Sequence, residues 1–179
     1  MQNRTTYITR TAVLLALTLV FQMSRVIIQP LLGPGHIFIV GSLVNLALIV
    51  ATAQVGIGAA ILISITAPIV AFIQGHIHSV PIIIPLVALG NIALVLAFYF
   101  FKKTNEYVAV IIGATVKFLT MLMGLNLLIA ILGSNAKLAK IFGALSFGFG
   151  WPQLVTALIG GYLAVLISKT IAKQQATKK

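Results

Sequence analysis

Few side chains in this sequence could do chemistry, and several of them fall in one short stretch between two apolar runs. In AFIQGHIHSVPIIIP, residues 71–85, Gln74, His76 and His78 follow one another at close spacing. Amides and imidazoles donate and accept hydrogen bonds, so the stretch predicts contacts to a polar ligand or placement at an interface. A His-x-His pair can also bind a metal, but only His36 offers a third strong ligand. We therefore expect neither a metal site nor a cofactor.

Two polar residues lie deep inside apolar runs, where burial is most costly. Asn91 and Lys117 each stand about ten residues, or ~15 Å of helix, from one end of their run. A buried lysine needs a partner, and the only acid of the chain, Glu106, lies outside the apolar runs. Four interpretations of Lys117 stay open: an ammonium that reaches a surface, a neutral amine, a hydrogen bond to Asn91, or attraction of an anionic substrate.

The composition places these residues in a membrane protein. Of 179 residues, 60% are hydrophobic and 7% are charged, whereas soluble domains are about 45–50% apolar and about 25% charged. No charged residue occurs from Val26 to Phe101. Arg4 and Arg10 precede the first apolar run, and no small-residue cleavage site ends that run, which predicts a membrane helix rather than a removable signal. The absence of cysteine excludes disulfides, thiolate ligands and cysteine nucleophiles.

The apolar runs predict an all-α membrane protein, a single six-transmembrane-helix bundle formed by residues 1–179. A helix needs about 20 apolar residues to cross a bilayer, and six runs approach or exceed that length. The predicted helices are residues 6–24, 37–53, 56–74, 81–101, 107–132 and 151–171. The connections at 54–55 and 102–106 are tight, and the other three are longer.

The distribution of basic residues predicts the orientation of this bundle. Six crossings place both termini and the 102–106 connection on one side of the membrane. That side carries eight basic residues, and the opposite side carries three: Arg4, Arg10, Lys102, Lys103, Lys169, Lys173, Lys178 and Lys179 against Arg25, Lys137 and Lys140. Because cytoplasmic loops are enriched in lysine and arginine, the termini are expected in the cytoplasm. This bias also explains the net charge of +11 better than nucleic-acid binding does.

In that orientation the polar side chains gather near the outer surface. The outer set is Gln22, Gln29, Asn45, Gln74, His76, His78, Asn126, Asn135, Trp151 and Gln153, whereas the inner half has only Gln54 and Asn105. Amides in hydrocarbon cost free energy unless they are paired. The cluster predicts a ligand pocket near the outer face. The alternative is that each amide joins two helices, which is worth roughly 0.6–2 kcal/mol.

Two of the long connections have features of covers over such a pocket. RVIIQPLLGPGHIF, residues 25–38, is an apolar loop stiffened by prolines, and we expect it to fold over the pocket. In GSNAKLAKIFGALSFGFGW, residues 133–151, the spacing of apolar residues predicts a short amphipathic helix on the membrane surface. A plain interfacial anchor is the alternative for this second segment.

The sequence lacks the motifs of a catalyst or of a motor. It has no P-loop, no G-x-S-x-G, no H-E-x-x-H and no carboxylate pair, so we do not expect an enzyme. The apolar runs also lack the carboxylates with which secondary transporters couple to ions. A small binding protein that draws energy from a partner remains. Ala12 and Ala16, one turn apart in the first helix, would let a partner helix approach closely, or pack within the bundle.

Together these features resemble the substrate-binding S components of energy-coupling factor (ECF) vitamin transporters, over the whole chain. The resemblance rests on the basic N-terminus, on TRTAVLLALTLVFQ with its A-x-x-x-A, on six helices in under 200 residues, and on the basic ends. It implies that Ala12 and Ala16 dock onto a transmembrane coupling protein driven by two cytoplasmic ATPases. It also implies that the subunit topples in the bacterial cytoplasmic membrane to release its substrate. The residues that fall where ligands are held in the family are Gln74, His76, Asn91, Asn126, Trp151 and Gln153.

The stretches GHIFIVGSLVNLALI and FIQGHIHSVPIIIP look most like the pantothenate-type members of this family. Pantothenate is a small anion with two hydroxyls and an amide, which suits amides, histidine and Lys117 and would not require an acid. Hydroxymethylpyrimidine and folate-like substrates stay open. The alternatives from other classes are a stand-alone transporter or channel-like oligomer, and a structural membrane protein without a ligand.

Overall fold

The computed structural model describes residues 3–75, 81–132 and 136–177, and all regular structure within these ranges is helical. The helices are α1 (Arg4–Met23), α2 (Arg25–Leu32), α3 (His36–Gln54), α4 (Ile57–Ile73), α5 (Ile83–Phe101), α6 (Glu106–Leu132), α7 (Ala136–Phe149) and α8 (Trp151–Thr177), with a 3₁₀ turn at Gly33–Gly35. Six helices are long, and α2 and α7 are shorter segments between them.

Four stretches are long and apolar enough to cross a membrane. They are Arg4–Gln54, which runs from α1 through α3, and then Ile83–Phe101, Glu106–Leu132 and Leu145–Gln174. Helix α4 is as apolar but shorter, with 17 residues. Many large apolar side chains on these helices are exposed, including Val13, Phe100 and Met123. Such a surface is stable in lipid and would aggregate in water.

Contacts between the long helices fix their relative directions. Helices α3 and α8 are parallel, since Gly41 meets Thr156 near their starts and Gln54 reaches the Ser168 carbonyl near their ends. Helices α1 and α4 are parallel, because the Tyr7 hydroxyl adjoins Gly58 and Gln22 reaches Ala67. The antiparallel pairs are α5 with α6 and α6 with α8. Helix α4 begins three residues after the end of α3 and packs against it, so these two helices are also antiparallel. Thus α1, α4 and α6 run one way, and α3, α5 and α8 run the other.

Helix α3 is the most enclosed element and packs most extensively against α8. Every residue from Ala47 to Thr52 is buried. The two helices approach closely at Gly160, where an added Cβ would overlap the Ser42 carbonyl oxygen and lie 2.8 Å from the Leu46 nitrogen. These are backbone atoms that cannot move independently, so only glycine fits.

Helices α5 and α6 form the second tight pair. An added Cβ at Gly113 would lie 3.1 Å from the Leu94 carbonyl oxygen, and one at Gly124 would overlap Leu86. Near the start of α5 and the end of α6, Phe142 of α7 is fully buried among Leu86, Leu125 and neighbouring side chains. The expectation that α7 only lies on the membrane surface is therefore incomplete. The helix is present, but its Phe142 is anchored in the core, where it packs with apolar side chains of α5 and α6.

The connection between α1 and α3 differs from its prediction. The apolar segment expected to fold over a pocket as a loop contains helix α2, and Val26, Ile27 and Leu31 are exposed on it by 65%, 70% and 77%. Lipid contact, unlike water contact, does not force these side chains inward, so the segment can form a helix that leaves them exposed. Pro30 lies inside α2, where it removes one backbone donor of the helix.

Polar contacts close the end of the bundle where α1 starts and α8 finishes, called here the terminal end. The Lys102 ammonium donates to the Thr52 carbonyl oxygen at 2.9 Å, and Lys169 lies 3.6 Å from Glu106. Partial burial lowers the pKa of Lys102, against the opposing effect of the Glu106 carboxylate. The side chain of Asn105 caps α6 by accepting hydrogen bonds from the backbone nitrogens of Tyr107 and Val108.

Candidate functional site

Lys117 is the centre of a buried polar cluster that joins four helices. Its ammonium donates to Asn45 Oδ1 of α3 at 2.7 Å and to Asn91 Oδ1 of α5 at 2.8 Å. The three residues are exposed by only 4%, 1% and 3%. Asn45 Nδ2 in turn donates to the Thr156 hydroxyl of α8 at 3.2 Å. Among the open interpretations of Lys117, the hydrogen bond to Asn91 is present, and the ammonium does not reach a surface.

Glycines near the cluster bring its helices together. Gly41 of α3 lies against Thr156, and Gly90 of α5 lies against Met121 of α6 and near the Lys117 stem. Side chains larger than hydrogen at these positions would separate α3 from α8 and α5 from α6. The close approach is what lets short asparagine side chains reach an ammonium on a neighbouring helix.

The electrostatics of the cluster are unusual because each hydrogen-bond acceptor of Lys117 within it is a neutral group. Both asparagines present amide oxygens, and Thr156 donates onward to the Gln153 carbonyl oxygen at 3.2 Å. An ammonium has three donors, and the two asparagine contacts use two of them. A protonated lysine held among neutral dipoles in a low-dielectric site would attract an anion more strongly than it would in water. The cluster is therefore suited to an anionic ligand group.

Gln153 and Trp151 lie at the start of α8, between the cluster and the end of the bundle that carries α2 and α7, called here the α2–α7 end. Gln153 Nε2 donates to the Gly148 carbonyl oxygen at 2.7 Å. The Trp151 ring is 54% exposed and packs against Phe38 and Phe147, with centroid distances of 5.3 and 5.8 Å. Gln153 and Trp151 thus place an amide and an aromatic ring on the α2–α7 side of the cluster.

The remaining predicted ligand residues occupy other places. Asn126 is exposed, and its Nδ2 donates to the Leu122 carbonyl oxygen of its own helix at 2.8 Å, apart from the Lys117 cluster. Gln74 caps the end of α4, and its Oε1 is buried without a hydrogen-bond partner in the part of the chain described. His76 and His78 lie outside the described residues.

Asn45 and Thr156 were not predicted as site residues, although Asn45 belongs to the outer polar set. The contacts that define their roles span 72 and 111 positions of the sequence. No local spacing indicates such contacts. Thr156 carries no sequence signal at all, because threonines in membrane helices commonly bond to their own backbone, as Thr120 does on α6.

No group of three or more potential metal ligands occurs within residues 3–75, 81–132 and 136–177. His36, the histidine that the structure describes, is buried, and its Nδ1 lies 2.6 Å from the Gly33 carbonyl oxygen. That contact closes the 3₁₀ turn that precedes α3.

Helix α1 has two different faces. Thr11, Thr18 and Gln22 are buried against the bundle, where α1 packs on α3 and α4. Ala12 and Ala16 are exposed on the other side. A helix that shows two alanines one turn apart offers a flat surface for another helix.

Comparison with known proteins gave one match. The family model described as ECF transporter, substrate-specific component, matches residues 6–172. Neither the curated proteins nor the solved structures contain a significant match.

Proposed function

The chain belongs to the family of substrate-specific components of ECF transporters, and from this premise we propose that it captures a small anionic vitamin of the pantothenate type. Members of this family are subunits of transporters, so the chain is a membrane transport protein and not an enzyme. The family works with an ATPase module in the membrane. The chemical character of the substrate is the part that rests on this chain's own residues.

The observation that carries the proposal is the Lys117 cluster. A lysine exposed by only 4% is held by the amides of Asn45 and Asn91, and the only acid of the chain is Glu106 at the start of α6. A cationic substrate such as thiamin would meet a positive charge without a compensating carboxylate. A carboxylate substrate would supply the missing counter-charge and accept a hydrogen bond from the ammonium.

The proposed binding site extends from this cluster to the α2–α7 end. Lys117 and Asn91 bind the carboxylate end, and Gln153 and Trp151 bound the site at the start of α8. Gln74, at the end of α4, is proposed to contribute, and so is His76. The proposed site omits Asn126, because its amide is already bonded to its own helix and lies on the exposed side.

The proposed topology has six crossings, with both termini in the cytoplasm of a bacterial cell. The alternating directions of the six long helices support it, as does the excess of basic residues at the terminal end. Ala12 and Ala16 are proposed to dock onto the transmembrane coupling protein, which two cytoplasmic ATPases drive. Their exposure on α1 supports that role.

Uptake by reconstituted proteoliposomes tests the proposal. The chain is reconstituted with and without an ECF coupling protein and its two ATPases, and radiolabelled pantothenate is added outside. We expect accumulation only when both the module and ATP are present. Uptake by the chain alone would identify a stand-alone transporter instead. ATP-dependent uptake of a different vitamin would reject pantothenate while retaining the transport role.

A further inference from the structure

Gln22 presents an acceptor that the fold does not use. The side chain is buried, with 9% exposure, near the end of α1. Its Nε2 donates to the Ala67 carbonyl oxygen of α4 at 3.2 Å. Because a carbonyl oxygen can only accept, this contact fixes which end of the amide is the nitrogen. The other end, Oε1, is buried without a hydrogen-bond partner among the described residues.

Gln74 presents a second acceptor of the same kind. Its Oε1 is also buried without a partner in the part of the chain described. Gln74 follows Ala67 by seven residues, which is about 10 Å along the helix and within about 20° of two full turns. Gln74 therefore stands on the same side of α4 as the carbonyl that Gln22 contacts.

The surface of α4 between these two points is made of small side chains. Ala67 and Ala71 occupy this side of the helix, and they are exposed by 0% and 6%. The two amide oxygens thus border a strip of α4 that is apolar and carries no large side chain.

We propose that Gln22 and Gln74 form an acceptor subsite that binds hydroxyl groups of the substrate. A buried acceptor left without a donor is costly, so two of them near one strip favour a ligand that brings donors. The subsite rests on the proposed function, and it adds Gln22, on the helix whose other face carries Ala12 and Ala16, to the binding residues.

The subsite complements the Lys117 cluster in depth and in chemistry. Ala67 lies about 9 Å below the end of α4, and Asn91 lies about 12 Å below the corresponding end of α5. The cluster offers a positive donor for an anion, whereas the subsite offers neutral acceptors. A substrate that fits both therefore has a carboxylate at one end and hydroxyl donors toward the other.

Three variants of the full chain test the subsite in binding experiments. Gln22→Met and Gln74→Met keep the side-chain length and remove the amide oxygen. Thr18→Val is the matched control, since Thr18 is fully buried one turn before Gln22 and its hydroxyl donates to the Leu14 carbonyl oxygen of its own helix. Calorimetry in detergent measures the affinity for pantothenate and for its analogue with both hydroxyls replaced by hydrogen. Circular dichroism confirms that each variant is folded.

We expect Gln22→Met and Gln74→Met each to weaken pantothenate binding by about 5- to 150-fold, the effect of leaving a donor unpaired. Their affinity for the dideoxy analogue should equal that of the wild type, and Thr18→Val should bind both compounds normally. Unchanged affinity in both methionine variants would overturn the subsite, as would an equal loss for both compounds. If Gln22→Met does not fold, the affinities of Gln74→Met alone test the subsite. This second substitution lies at the C-terminal cap of α4, so we expect it to fold.

Failure of the proposed substrate is distinguishable from failure of the subsite. If folded wild-type protein does not bind pantothenate but binds another B-vitamin, the variants are compared on that vitamin and on its analogue without donors. Equal binding by wild type and variants then overturns the subsite alone. If the wild type binds no vitamin, both proposals are overturned.

Discussion

At the scale of the residue, one buried lysine is the basis of the proposed substrate chemistry. Burying an ammonium costs several kcal/mol, and Asn45 and Asn91 offset that cost with two short hydrogen bonds. Neutral amides can stabilise the protonated lysine without cancelling its charge. In the proposed site, that charge is what an anionic substrate would use.

Replacement of Lys117 by methionine tests this role. We expect Lys117→Met to reduce pantothenate affinity by at least about tenfold, because a charge-assisted hydrogen bond is worth about 1.5–3 kcal/mol. It should also lower thermal stability, since both asparagine oxygens lose their donor. Thr115→Val, on an exposed position of the same helix, is the control for both measurements. Unchanged affinity in folded Lys117→Met would reduce Lys117 to a structural role.

For Asn126 we expect the opposite result, namely that its replacement leaves pantothenate affinity nearly unchanged. Its side chain is exposed and bonded within α6, so Asn126→Ala should leave pantothenate affinity within about twofold of wild type. Asn91→Ala in the same calorimetric series should weaken binding, because Asn91 contacts Lys117 directly. A large loss of pantothenate affinity in Asn126→Ala would mean that a different face of α6 contacts the substrate.

The sequence predicts part of this site and not the rest, for a physical reason. The cost of a lysine or an asparagine in an apolar run is visible in a single position, so Asn91 and Lys117 stand out. Asn126 stands out equally, because the sequence does not show which face of α6 turns inward. The contacts of Asn45 with Lys117 and Thr156 depend on how α3, α6 and α8 pack, which no local pattern encodes.

At the scale of the element, glycines decide where the helices meet. Gly160 lets α3 and α8 pack backbone to backbone, whereas an added Cβ at Gly143 of α7 meets no atom within 4 Å. The spacing of apolar residues predicts the long helices but not α2. An apolar segment with two prolines indicates a loop if its outer side faces water. In a membrane protein that side can face lipid, so the segment can form an exposed apolar helix.

Substitution at these two glycines should have opposite outcomes. We expect Gly160→Leu to destabilise the protein by more than about 3 kcal/mol, because the new side chain would displace the backbone of α3. Gly143→Ala should be neutral or stabilising by up to about 1 kcal/mol, since alanine is the better helix former. Thermal unfolding in detergent compares the two. Equal melting temperatures would show that the α3–α8 contact is not tight.

The exposed face of α1 should act only when partners are present. Ala12→Trp and Ala16→Trp are expected to abolish module-dependent uptake and to leave pantothenate affinity within about twofold of wild type. Ile111→Trp, on an exposed position of α6, is the control and should transport normally. Co-purification with the coupling protein provides an independent readout. Loss of binding in the α1 variants would place these alanines in the site and not at an interface.

At the scale of the whole molecule, the proposed binding residues lie away from the terminal end. That end carries the contacts of Lys102 with Thr52 and of Glu106 with Lys169. The polar cluster lies near the middle of the bundle, and the proposed acceptor subsite lies toward the α2–α7 end. The sequence contains no nucleotide-binding motif and no carboxylate within its long apolar runs. Such a molecule can capture a ligand by itself, but it needs a partner to move that ligand against a gradient.

The most direct measurement is a calorimetric titration of the purified chain alone, in detergent and without ATP, with pantothenate and a panel of other B-vitamins and precursors. The account predicts tight one-to-one binding of pantothenate and no binding of cationic thiamin. Tight binding of thiamin, or no binding of any vitamin by folded protein, would contradict it.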